Sequence, residues 1–368
     1  MRQIKETKFF PLAVRCFDPA TGINDYLLHF YEEPKESSEA ISQCITDTLR
    51  KFSLDIKHVV VYTADNASVN YGKVCSVFQN LRLLQRNMIK ANCHCHIVHN
   101  ATRHSLKLVS YDVESFILKV YNAFSQSSKN VADPKECFEF VQEEYRQILR
   151  HIPIRWLTLF QAVDRLLLSW QSIKVYFLKE GEDSCDKIVW KFIGDQEHGL
   201  STEAEPTLAE CYLYFFHHVL FQFHKTILIL EKTDVYACDV YAIVNGLRKR
   251  LESRLKEQYF GEKATKGSKY LRESEAQKSR TEALKVYERA VEYLSKWFDY
   301  GNSPFKQLSC LSLTITPPTL EEVVSTAQLM ALQLNEDTLF DEMCMLKEAF
   351  PALKDEKMSS AETWCKDF

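Results

Sequence analysis

Glycine is scarce in this chain, with nine residues in 368. That scarcity disfavours a turn-rich all-β architecture and favours long helices. No charge of one sign dominates: 46 basic residues face 50 acidic ones, for a net charge of −4. There is therefore no global basic field, and any nucleic-acid binding must come from a local patch. No long apolar run goes uninterrupted. The most apolar stretch, Leu208 to Leu230, is broken by His217, His218, Gln222, His224 and Lys225, which a bilayer would penalise. It reads as a buried helix, and no membrane partner is expected. No signal peptide precedes the twelve cysteines. Cys16, Cys44, Cys75, Cys211 and Cys238 sit in apolar sequence and read as reduced thiols in a nuclear or cytoplasmic protein, not as a disulfide framework. No repeat at a fixed period is visible.

What the sequence does contain centres on residues 59 to 104. Val59-Val60-Val61-Tyr62-Thr63-Ala64 is a short β-branched run without charge, the pattern of a buried strand. Asp65 closes it, at the end of the strand where open α/β sheets meet ligands and metals. Asn66 to Gly72 turn the chain into a helix with Val74, Val77, Phe78, Leu81 and Leu84 as its apolar positions. A second run, Met88 to Ala91, leads into Cys93-His94-Cys95-His96, with His99 behind it. Zinc needs four tetrahedral ligands, usually as two separated pairs. This compact string offers two to any single ion, and no second CxxC or HxxxH pair appears elsewhere.

Ahead of this region, Phe9 to Phe17 and Ile23 to Tyr31 read as a hairpin, with Asp18 to Gly22 as its turn. Pro11 suits an edge strand. Ser37 and Ser38 open a helix on which Ile41, Ile45, Leu49 and Phe52 recur at helical spacing. Behind the cluster the chain becomes helical. The patterns predict helices over Val113–Phe124, Pro134–Leu149, from Ile154, Leu208–Glu231, Val235–Gln258, Lys285–Phe298, Leu320–Leu334 and Leu339–Phe350. Phe260 to Arg280 reads as a charged loop. From Arg248 to Lys285, twelve Lys/Arg stand against six Glu. That excess offers either a DNA-facing surface or a solvated helix face, and the interspersed acids favour the latter.

The series Asp65-Asn66-Ala67-x-x-Asn70-x-Gly72, Cys93-x-x-His96, His99-Asn100 and Arg155-Trp156 resembles the core of an hAT-superfamily transposase. More narrowly, it resembles the domesticated, transposase-derived proteins of animals. The likeness is strongest from Phe9 to about Leu178. It implies an α/β plus all-α fold. Residues 1–110 would form an RNase H-like core lacking its first strand, and residues 111–368 an all-α insertion with a C-terminal helical region. An all-α protein with a small β-hairpin appendage is the other fold considered.

An RNase H-like nuclease holds two divalent ions between clustered carboxylates. The resemblance places Asp65 as one of three such carboxylates, an inherited magnesium ligand; a strand-end aspartate capping the next helix is the alternative. The other two carboxylates have no counterpart: Glu6 is the only acid before Phe9, and Ser359-Ser360-Ala361-Glu362-Thr363-Trp364 only faintly echoes the late glutamate's signature. Asp25, Asp112 and Glu114 are the possible substitutes. The resemblance also implies that Cys93 and His96 brace DNA and that Trp156, beside Arg155, stacks on an unpaired base, worth about 1–3 kcal/mol. Core packing is the competing account of Cys93, His96 and Trp156. The expectation is therefore a catalytically inactive DNA- or protein-binding factor with no resident cofactor, whose partners are DNA, another protein or a second copy of the chain. The alternative is a fragment of an active, magnesium-dependent transposase.

Overall fold

The computed structural model describes residues 9–18, 20–32, 37–125, 134–142, 144, 147–151, 158–193, 205–313, 316–355 and 360–364. The chain opens with β1 (Phe9–Asp18), β2 (Gly22–Glu32), α1 (Ser38–Lys51), β3 (Val61–Ala64), α2 (Ser68–Tyr71), α3 (Val77–Leu84) and β4 (Ile89–Asn92). From there it is helical: α4 (His94–Leu106), α5 (Val113–Ser125), α6 (Pro134–Phe140), α7 (Thr158–Leu168), α8 (Trp170–Glu180) and α9 (Lys187–Ile193). The long helices follow: α10 (Leu208–Leu230), α11 (Ala237–Glu257), α12 (Glu262–Gly267) and α13 (Glu273–Trp297). The last are α14 (Pro304–Leu308), α15 (Leu320–Leu329), α16 (Glu336–Asp355) and α17 (Ser360–Trp364).

The fold is mostly helical with a small strand portion, as a chain poor in glycine should be. Two compact units are interleaved along the sequence. The first comprises residues 1–97, 229–245 and 298–368; the second comprises 98–228 and 246–297. The compact division thus falls within α4 and returns twice, where a linear reading places one boundary at 110.

In the first unit, β1 and β2 pair antiparallel, with a register shift between Leu12 and Ala13. The Asp18 carboxylate builds their turn by accepting from Ala20 N at 2.8 Å and Thr21 N at 3.0 Å. Gly22 completes it at φ 79°, a backbone conformation that glycine adopts without strain. Arg15 and Asp25 face each other across the ladder and form a two-point ion pair at 2.7 and 2.8 Å. Strand content is not confined to this hairpin. β3 and β4 form a second, parallel sheet, with Val61 opposite Ile89 and Ala64 opposite Asn92.

Parallel strands must be covered on both faces, and the period-2 alternation of this pair shows how. On one side, Tyr62 packs with Met88 against Ile41, Ile45 and Leu49 of α1 and Val77, Phe78 and Leu81 of α3. On the other, Val61, Ile89 and Ala91 pack against Val244, Phe298, Phe305 and Leu308. Residues more than 150 positions downstream in the sequence therefore complete the first unit.

The second unit is built on α10, whose buried residues lie on most of its surface. Its first turn carries a reciprocal capping box: Glu210 N donates to Thr207 Oγ1 at 3.2 Å, and Thr207 N donates to Glu210 Oε2 at 2.8 Å. The other carboxylate oxygen, Oε1, accepts from Lys174 Nζ at 3.0 Å and from the Trp170 indole N–H. Lys174 and Glu210 are 5% and 4% exposed, so this ion pair is desolvated. Gly261 opens α12 at φ 97°, where a Cβ would lie 2.6 Å from the His218 ring; only glycine fits there.

Several sequence expectations need correction. Phe260–Arg280 is not a loop: α12 and the first turns of α13 occupy it, because Lys266–Glu262 and Arg272–Glu275 pairs stabilise those turns. The helix expected over Pro134–Leu149 spans only Pro134–Phe140. The single helix expected after Asn66 is two, α2 and α3, and Val74 between them is 94% exposed. Cys16 and Cys75 are exposed, and the described cysteines are free thiols.

Lys174→Met removes one partner of the buried pair and strands the Glu210 carboxylate. The expected loss is about 3–5 kcal/mol of stability. Urea unfolding followed by circular dichroism measures it. Lys174→Met combined with Glu210→Gln, which removes the stranded charge, should recover part of that loss.

Candidate functional site

The parallel pair sets the site. Asp65 follows the last residue of β3, and Cys93 follows the last residue of β4, so both stand at the same end of the sheet. Cys93 N donates to Ala64 O at 3.0 Å and carries the ladder one residue further. Asn92 Nδ2 donates to Asn66 Oδ1 at 2.9 Å and ties the two strand exits together.

The Asp65 carboxylate is exposed, and its contacts are local. Oδ1 accepts from Ala67 N at 3.1 Å and from Asn70 Nδ2 at 2.7 Å. Asn70 in turn accepts the Tyr62 hydroxyl proton at 3.0 Å. The carboxylate thus closes the turn into α2, in the manner of a helix-starting aspartate. Tyr71, one turn further on, places its hydroxyl on the ladder itself. The hydroxyl accepts from Ala64 N at 2.9 Å, and Ala91 O at 2.9 Å and Tyr62 O at 3.2 Å are its acceptors. Burial raises the Tyr71 phenol well above its ordinary range, and the nearby Cys93 and Asp65 charges add to the rise. Gly72 is dictated by space: a Cβ there would lie 2.8 Å from Ser68 O. The Asp65–Gly72 stretch is therefore a turn in which the Asp65, Asn66, Asn70 and Tyr71 side chains each have a structural partner.

Cys93 sits at the start of α4. Its thiol accepts a hydrogen bond from the Cys95 thiol and lies against His96, and these neighbours hold it well below the ordinary thiol range. Cys95 moves the opposite way, chiefly because it serves as the donor to Cys93. A helix N-terminus favours the thiolate in addition. His94 turns the other way, into the core, edge-on to Phe298 and Phe305 at 5.7 and 4.8 Å. Burial pushes its pKa down to about 4, which leaves it neutral near pH 7.

The structure brings Asp65, Cys93 and His96 to one end of one sheet. Arg155 and Trp156 lie outside the described residues, as does Glu6. The substitute carboxylates are engaged elsewhere: Asp25 with Arg15, Asp112 with Ser115 N at 3.0 Å, and Glu114 with His151 at 3.1 Å. Among the described residues, no group of three His, Cys, Asp or Glu side chains is placed to hold a metal ion. The donor set around Asp65 does not fit a pair of magnesium ions, because a single carboxylate with one oxygen already bonded twice supplies too few anionic ligands. Sequence reading missed Tyr71 altogether. Nothing in the tyrosine's local pattern distinguishes a ladder-capping hydroxyl from an ordinary half-buried ring.

No family model matches the chain, and no curated protein matches it.

Two outcomes are expected at this site. Tyr71→Phe keeps the ring and removes the ladder hydroxyl, at a cost of about 1–2 kcal/mol; thermal unfolding measures it. Iodoacetamide alkylation at Cys93, followed by peptide mass mapping, should proceed at nearly constant rate from pH 6.5 to 8.5. An ordinary thiol's rate climbs about tenfold per unit below its pKa.

Proposed function

We propose that this chain is a transposase-derived protein of hAT type that no longer cleaves DNA and works as a binding factor for DNA or a protein partner. The observation that carries the reading is the placement of Asp65 and Cys93 at matching ends of a parallel pair, with the Asp65 carboxylate spent on closing a turn. The element order supports an RNase H-like ancestry for the first unit: an antiparallel hairpin, a helix, then parallel strands with helices between them. The first strand that the resemblance implies ahead of the hairpin is not among the described residues.

Catalysis of the ancestral kind fails on charge. Two magnesium ions bring four positive charges, and stabilising a phosphoryl transition state needs them held in fixed geometry. One carboxylate, already accepting two N–H donors, does not hold them. Binding makes no such demand. A depressed thiol beside His96, at a helix start next to the sheet edge, offers hydrogen-bonding groups to a partner without any metal. Arg155 and Trp156 are the DNA-facing residues in this reading, together with Cys93 and His96. Magnesium is the ion the alternative reading, an active transposase fragment, would require.

Purified protein incubated with supercoiled plasmid and magnesium should nick no faster than its Asp65→Ala variant. Nicking that disappears in Asp65→Ala would restore the active transposase. A gel-shift titration with single-stranded and duplex DNA separates the two kinds of partner. Replacing Arg155 and Trp156 together by alanine should weaken DNA binding about tenfold. An unchanged affinity would remove those two residues from the interface.

A further inference from the structure

The second unit contains a cavity of about 390 Å³ that includes no residue of the Asp65–His96 region. It lies among α4, α5, α7 and α10, and its size is within the range of small-molecule sites. Its inner walls are apolar and largely aromatic: Phe160, Phe216, Leu220 and Phe223. The last three are 2–4% exposed, so they form a fixed floor. Phe160 packs against the His224 ring at 4.5 Å, which extends the flat lining.

The polar groups at this cavity divide into committed and uncommitted. Asp112 is committed, since its carboxylate caps α5 through Ser115 N and the Ser115 hydroxyl, at 3.0 and 2.7 Å. Glu114 is committed to the buried His151, whose other ring nitrogen meets Thr158 at 2.9 Å. Arg103 and Lys107 also line the cavity and are exposed. No hydrogen bond or ion pair engages either among the described residues, although Arg103 lies close enough to Glu114 to favour its charge. Arg103 and Lys107 are therefore the charged groups at the cavity whose donors remain available to an anion.

We infer that this cavity is a binding site for a small, flat aromatic acid. The aromatic body lies between Phe160, Phe216 and Phe223, and the acid group meets Arg103 and Lys107. Flat apolar walls favour stacked or edge-on rings, and a guanidinium favours planar anions through paired N–H donors. The inference is independent of the transposase reading, because it uses no residue of the Asp65–His96 region.

The probe is 8-anilinonaphthalene-1-sulfonate, a fluorescent aromatic acid, with uncharged N-phenyl-1-naphthylamine as its comparison. Titrated into the full chain, the sulfonate should bind saturably at one site. Arg103→Glu and Lys107→Glu together should weaken it roughly tenfold while changing the neutral probe by no more than about twofold. These positions are exposed, so the variant should fold. Leu118→Trp, from the half-buried rim, should fill the cavity and abolish binding of both probes. Its circular dichroism and melting temperature should match those of the parent. If Leu118→Trp melts early, Thr102→Phe at the same lining serves instead. Absence of saturable binding, or binding of the sulfonate unchanged by both the charge reversal and the filling substitution, would overturn the proposal.

Discussion

A parallel pair of four-residue strands cannot stand alone. Its strands share no short turn, and both of its faces are apolar. Much of the first unit follows from that constraint. One face is closed locally, by α1 and α3, which flank β3 in the sequence. The other is closed by Val244, Phe298, Phe305 and Leu308, from segments that the chain reaches only after passing through the second unit. The interleaved division is the consequence: covering the second face of β3 and β4 requires the chain to come back.

The same constraint explains why the strand exits are so fully bonded. A two-stranded ladder has few hydrogen bonds of its own, and side chains supplement them. The Tyr71 hydroxyl reaches both strands, Asn92 reaches Asn66, and Asp65 and Asn70 close the turn that brings Tyr71 back. The residues that make this stretch resemble a nuclease motif are thus also the ones that hold the turn together. The turn-closing contacts account for the Asp65 side chain by themselves.

In the second unit a buried charge plays the organising part. Glu210 caps α10 with one oxygen and receives Lys174 and Trp170 with the other, so one carboxylate joins the start of α10 to α8. A polar link of this kind constrains how α8 and α10 meet more narrowly than apolar contact does, since a slip of one turn would strand both charges. The same α10 also bounds the aromatic cavity, through Phe216, Leu220 and Phe223.

What the sequence determined by itself was whatever local periodicity and composition control. The hairpin, the β-branched run of β3, the amphipathic α1 and the long α10 and α11 all follow from alternation, helical spacing and turn chemistry. Local pattern does not reveal α12, the start of α13 or the short α2, because charge pairs at 262–275 resemble a solvated loop and because Val74 is apolar yet exposed. Tertiary structure alone decided which distant segment covers β4, which carboxylates are already engaged, and that Cys93, not Cys95, is the acidic thiol of its pair. The reason is physical. Periodicity reports which face of an element is apolar, but hydrogen-bond partners, burial and the fields that shift a thiol or histidine depend on atoms brought together from remote parts of the chain.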